Sequence, residues 1–124
     1  MNRKFVRIDC DNVGDKIELA LYNNEPKVAQ QISDDIKTNI AWFIQQITAA
    51  FNAEILLVGS DDILFTINYD LFNSKKLDSI RHEFSNRTSI TISMGIGDSI
   101  RDSLTNLHIA KVSGKDKIVQ NRYS

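Results

Sequence analysis

The sequence predicts an α+β fold of ferredoxin-like plan, with a central antiparallel-rich sheet and helices on one face. Three observations lead there. Strand-like and helix-like periodicities follow one another in the order strand, helices, hairpin, helix, strand, helix. An apolar stripe from Val28 to Phe51 recurs at three- and four-residue spacing, as a helix packed on a sheet requires. Finally, EILLVGSDDILFTINY reads as two β-branched-rich runs around a Gly-Ser-Asp-Asp turn.

Phe5 to Cys10 alternates as a strand, with Val6, Ile8 and Cys10 on one face and Phe5, Arg7 and Asp9 on the other. A short helix is expected after Gly14, and Asn-Asn-Glu-Pro before residue 27 punctuates the chain ahead of the long helix. The hairpin is expected at the sheet centre, its turn carrying Asp61 and Asp62. Leu77, Ile80 and Phe84 propose a further helix. SITISMGI then alternates, with Thr91, Ser93 and Gly95 forming a half-polar face left open for a site. Ile100, Leu104 and Leu107 propose the last helix, closed by Ser113-Gly114, after which DKIV can add an edge strand.

With 124 residues the chain is expected to be one domain, 1–124, large enough to bury roughly two-thirds of its unfolded surface. A formal net charge of −1 gives no basic excess of the kind a general nucleic-acid binder carries. One cysteine, Cys10, with His82 and His108 at unrelated spacings, makes neither a disulfide nor a zinc constellation, so a reducing, cytoplasmic setting is expected. The N-terminal residues hold no apolar signal core, and no apolar run is long enough for a membrane span.

Acidic residues are the chemical signal. Asp9, Asp11 and Gly14 match three EF-hand loop positions, but Val13 and Ala20 fall where oxygen ligands are needed, which excludes that loop. Alone, Asp11, Asn12 and Gly14 read as a turn capping the next helix, and Gly59-Ser60-Asp61-Asp62 as an ordinary hairpin turn. On neighbouring strands, however, Asp9 meets Asp61 and Asp62, and such a carboxylate cluster suits a divalent cation and nucleotide phosphates. Ser60 has no nucleophile elbow, SGKD lacks the P-loop's spacing and hydroxyl, and GIGDSI lacks the third glycine of a dinucleotide fingerprint. His82 and His108 are expected on helix surfaces.

RIDCDNVGD, LLVGSDDILF and SMGIGDSIRDSLTNLHIAKVSGKDK resemble, in order and spacing, the palm domain of GGDEF diguanylate cyclases and of the polymerase-like large subunit of type III CRISPR complexes. The likeness spans nearly the whole chain. With no accessory domain in the sequence, the chain looks most similar to the minimal CRISPR polymerase (mCpol) group, palm-only cyclic-dinucleotide synthases of anti-phage defence. This resemblance implies metal ligation by Asp9, the Cys10 carbonyl, Asp61 and Asp62, with two magnesium (or manganese) ions per site. It implies nucleotide contacts from Asn12, Gly59, Ser60, Lys111 and Lys115, the lysines holding phosphates.

The implied activity is pyrophosphate-releasing synthesis of a cyclic di-AMP-type signal or small cyclic oligonucleotide from ATP. A homodimer of two chains facing each other through their open sheet faces is expected, and the resemblance implies a product that acts on a companion effector, with no direct nucleic-acid or membrane binding expected. The adenine preference comes from the CRISPR side of the likeness alone. Ser60 departs from the family's second hairpin glycine, which is expected to restrict the turn and the approach of nucleotide. Ile63 replaces the phenylalanine of the GGDEF signature, and no Arg-x-x-Asp precedes the hairpin. The alternative reading is a catalytically silent nucleotide-binding palm acting as sensor or scaffold. An RNA-stacking sheet fits less well, because Thr91 and Ser93 stand where aromatic side chains would be needed.

Overall fold

The computed structural model describes residues 2–120. Its elements are β1 (Arg3–Cys10), α1 (Val13–Tyr22), α2 (Pro26–Phe51), β2 (Glu54–Val58), β3 (Asp62–Asn68), α3 (Ser74–Thr88), β4 (Ile92–Gly97), α4 (Ile100–Val112) and β5 (Ile118–Gln120), with one short 3-10 turn at Tyr69–Leu71. The strands form one sheet in the order β2-β3-β1-β4-β5. Three pairings are antiparallel, and β4 with β5 is parallel. The first four strands thus follow the ferredoxin-like order, and α4 is the crossover that adds β5.

One face carries the core. Val6 and Ile8 of β1, Ile63, Phe65 and Ile67 of β3, and Ile92, Met94 and Ile96 of β4 are buried beneath Ile36, Ile40, Phe43 and Ile47 of α2 and Leu77 and Phe84 of α3. Phe43 sits at the centre, edge-on to Phe65 at 6.4 Å and to Phe84 at 6.2 Å. Burying each such ring contributes about 2–3 kcal/mol. Pro26 opens α2 at a position whose N–H needs no helical partner, and Asn52 closes it in the left-handed region.

Two expectations change. The sheet is not covered on one face only, because α4 lies against the opposite face of β4. A Cβ at Gly95 would stand 2.1 Å from the Leu107 amide nitrogen and the Ser103 carbonyl oxygen, so backbone meets backbone there. Close approach selects small residues. The helix buries Ser103, Asn106 and Ala110 and leaves Ile100 and Leu104 exposed, the reverse of the apolar stripe read from sequence. Ser93 and Gly95 are consequently buried, not open. The hairpin is also not central: β2 is an edge strand, with Leu56, Leu57 and Val58 exposed. Among the described residues, no helix is long and apolar enough to cross a membrane.

Candidate active site

The β1–β3 ladder places Asp9 directly opposite Asp62, and the amide of Cys10 donates to the Asp61 carbonyl at 3.0 Å. The acidic turn is thereby fixed to the end of β1. Like charges facing one another across a ladder repel, so each needs a cation. Arg7, two residues before Asp9 on the same strand face, donates to Asp62 Oδ2 at 2.7 Å. Lys111, in the last turn of α4, lies 3.2 Å from Asp9 Oδ2 and donates to the Cys10 carbonyl at 3.2 Å. Among the described residues, Asp61 has no ion-pair partner. Burial, then the charges of Asp9 and Asp62, push its carboxyl above the usual aspartate range.

Asp11 is buried and does not cap a helix: the N-cap of α1 is Asn12, in the left-handed region with no side-chain cap. Its carboxylate instead accepts from Thr91 Oγ1 at 2.6 Å, Ser93 Oγ at 2.8 Å, Lys111 Nζ at 2.6 Å and the Asp116 amide at 3.1 Å. Burial alone would raise its pKa, but these hydrogen bonds, led by Lys111, hold it below the ordinary value. For Lys111 burial works downward and is outweighed by Asp11 and Asp9, so its pKa is raised. The Cys10 side chain points into the core, and burial pushes its thiol pKa upward, leaving the carbonyl as the group it presents here.

After α4, Gly114 at φ 121° lets the Lys115 amide reach the Ala110 carbonyl at 2.9 Å, and Lys115 and Asp116 both follow with positive φ. That turn carries Lys115 Nζ to Asn12 Oδ1 at 2.6 Å. A cavity of about 550 Å³ opens beside Asp61, walled by Val13, Ile17, Ile36 and Ile40, floored by Gly59 and Ser60, and edged by Ser33 and Lys37. Its size is that of small-molecule sites.

The structure therefore gathers Asp9, Cys10, Asn12, Gly59, Ser60, Asp61, Asp62, Lys111 and Lys115 at one end of the sheet. Sequence reasoning missed Arg7 as a partner of Asp62, although strand alternation had already put it beside Asp9, and it missed Asp11 as the buried anchor of Lys111. His82 and His108 are exposed. Among the described residues no three His, Cys, Asp or Glu side chains form a ready metal cage, with Asp9 and Asp62 engaged by Lys111 and Arg7. The donor chemistry does fit a hard divalent cation: three carboxylates and the Cys10 carbonyl offer oxygen only, and among the described residues Asp61 is in no ion pair.

Residues 5–121 match the family described as mCpol, minimal CRISPR polymerase domain. No curated protein matches the chain. Among solved structures, the Csm1-Csm4 cassette in complex with cA4 is 15% identical with a TM-score of 0.69, the match covering 98% of this chain and 21% of that one. The same cassette in complex with one ATP is 14% identical with a TM-score of 0.68, covering 94% and 20%. The active GGEEF domain of a diguanylate cyclase from Vibrio cholerae is 13% identical with a TM-score of 0.60, covering 100% and 85%. The chain thus spans about a fifth of the Csm1-containing chains and most of the GGEEF domain. At these identities the likeness to the solved structures is one of fold.

Proposed function

The chain belongs to the mCpol, minimal CRISPR polymerase domain, family, and on that premise we propose that it joins ATP into a cyclic dinucleotide of cyclic di-AMP type, releasing pyrophosphate. The observation that carries this reading is the facing pair Asp9 and Asp62, with Asp61 in the adjoining turn and Lys111 behind. A cavity large enough for a nucleoside opens beside Asp61. The Csm1-Csm4 structures with ATP and cA4 support ATP as the substrate.

In this account the nucleoside occupies the cavity, and Lys111 and Lys115 face the triphosphate, whose charge would otherwise be repelled by the carboxylates. A ribose hydroxyl of one ATP attacks the α-phosphorus of another. The bond from that phosphorus to the β-phosphate's bridging oxygen breaks, pyrophosphate departs, and the hydroxyl proton passes to solvent. A second such transfer closes the ring. Magnesium or manganese, held by Asp9, Asp61, Asp62 and the Cys10 carbonyl, would supply acidification of the hydroxyl and charge neutralisation at phosphorus. Ring closure is simplest with two chains each presenting one nucleotide, so a homodimer is part of the proposal, as is a companion effector that reads the product.

Incubating the protein with each nucleoside triphosphate and magnesium, with mass spectrometry of the products, tests this. The expected result is a cyclic dinucleotide from ATP; product from GTP alone would move the protein to the diguanylate-cyclase class. A second reading, a nucleotide-binding palm without turnover, draws on the pairing of Asp9 and Asp62 with cations of the chain itself. It wins if ATP raises the melting temperature without magnesium and no pyrophosphate forms.

A further inference from the structure

Asp62 is held from two sides. Arg7 Nη2 donates to its Oδ2 at 2.7 Å, while Arg7 Nη1 donates to the carbonyls of Ile8 at 3.2 Å and Ile63 at 3.4 Å. On the other side, a Cβ at Gly59 would stand 1.7 Å from Asp62 Oδ1, so that oxygen fills the space which the absent side chain leaves. The two side chains are 17% and 26% exposed, enough burial to make a charge-assisted contact stronger than a surface pair.

The cations paired with Asp9 and Asp62 differ in what binds them. Lys111 is anchored by Asp11, whose side chain is 1% exposed, and leaving would strand that buried charge. Arg7 has Asp62 as its one carboxylate among the described residues and otherwise donates only to neutral carbonyls. Arg7 is therefore the cation that can be exchanged, and a guanidinium matches phosphate oxygens as well as it matches a carboxylate.

Resting on the function proposed above, we propose that Arg7 is a positioning residue. It serves as the resident counter-cation of Asp62 and withholds that carboxylate from divalent metal until a nucleotide's triphosphate takes the guanidinium. Without nucleotide the site takes one divalent cation, at the Asp61 side. With a triphosphate bound it takes a second, so nucleotide and second cation bind with positive, reciprocal coupling.

Calorimetric titration of Mn²⁺ into the full chain, with and without the unreactive α,β-methylene analogue of ATP, tests the assignment. The wild type is expected to take one Mn²⁺ alone and two with the analogue. Arg7→Met should take the second Mn²⁺ without analogue, about tenfold or more tighter than wild type does. Arg7→Lys, which keeps the charge, should retain the wild-type pattern, and Asp62→Asn should take one Mn²⁺ in either condition. Circular dichroism melts establish that each variant is folded. Two Mn²⁺ on the nucleotide-free wild type, or the same nucleotide-free Mn²⁺ binding in Arg7→Met and wild type, overturns the role of Arg7 alone. Should Arg7→Met fail to fold, a nucleotide-coupled second Mn²⁺ persisting in Asp62→Asn overturns it equally. Absence of Mn²⁺ binding in every condition overturns this role and the proposed function together.

Discussion

Lys111 Nζ stands 2.6 Å from Asp11 Oδ1, a carboxylate almost wholly shut from solvent, and the same ammonium reaches Asp9 Oδ2 at 3.2 Å. One buried ion pair thus fixes the end of α4 against the end of β1. The lysine's position is set by the fold before any ligand arrives, which is what the phosphate-binding role proposed for it needs.

Replacing Lys111 with Met should destabilise the protein by about 2–3 kcal/mol, because Asp11 stays buried without its cation. Urea denaturation at pH 7 measures this. The wild type should also lose stability in acid. A carboxyl held below its ordinary value stabilises above pH 3.8 and loses that contribution as pH falls through its folded value.

Asp61 works in the opposite sense. Its carboxyl is raised by burial and by Asp9 and Asp62, so its ionisation costs stability that is regained as pH falls through the raised folded value toward 3.8, below which both folded and unfolded chains are protonated. Without added metal, Asp61→Asn should therefore melt higher than wild type at pH 7, with the difference vanishing in acid. A melting series across pH checks the sign.

Gly95→Ala should be among the most damaging single-methyl changes, at about 3 kcal/mol or more, since its Cβ would meet α4 backbone at 2.1 Å. The helix must shift, and Lys111 with it. Chemical denaturation reads the stability, and binding of an ATP analogue should weaken in the fraction that remains folded.

Much of this was legible in the sequence, for identifiable reasons. The 3.6-residue period over Val28 to Phe51 marks α2 because that helix lies on the sheet through bulky apolar residues. Alternation in β1 puts Asp9 away from Val6 and Ile8, and the apolar runs around Gly59 to Asp62 mark a hairpin. The helix α4 obscured its own orientation: it packs by close backbone approach on Gly95, so small and polar residues face inward and Ile100 and Leu104 mislead. Asp11 could not be read, since its partners Thr91, Ser93 and Lys111 lie 80, 82 and 100 positions away. Arg7 was on the correct face, but nothing local specified Asp62 as its partner.

Ser60, in place of a second hairpin glycine, is expected to restrict the turn and the approach of nucleotide. It is not among the residues with positive φ, and the glycine that the turn requires is Gly59, whose missing Cβ makes room for Asp62. Ser60→Gly should accordingly bring no gain in turnover. It should lower stability by about 0.5–1 kcal/mol through the freer unfolded chain, as thermal melts with parallel activity assays would register.

The most direct test of the central claim is pyrophosphate released per ATP consumed, followed with magnesium present for the wild type and for the Asp61→Ala, Asp62→Ala double variant. One pyrophosphate per ATP incorporated and a cyclic product are expected from the wild type, and neither from the folded double variant. A double variant that releases pyrophosphate at the wild-type rate, or a wild type that binds ATP and releases none, would contradict it.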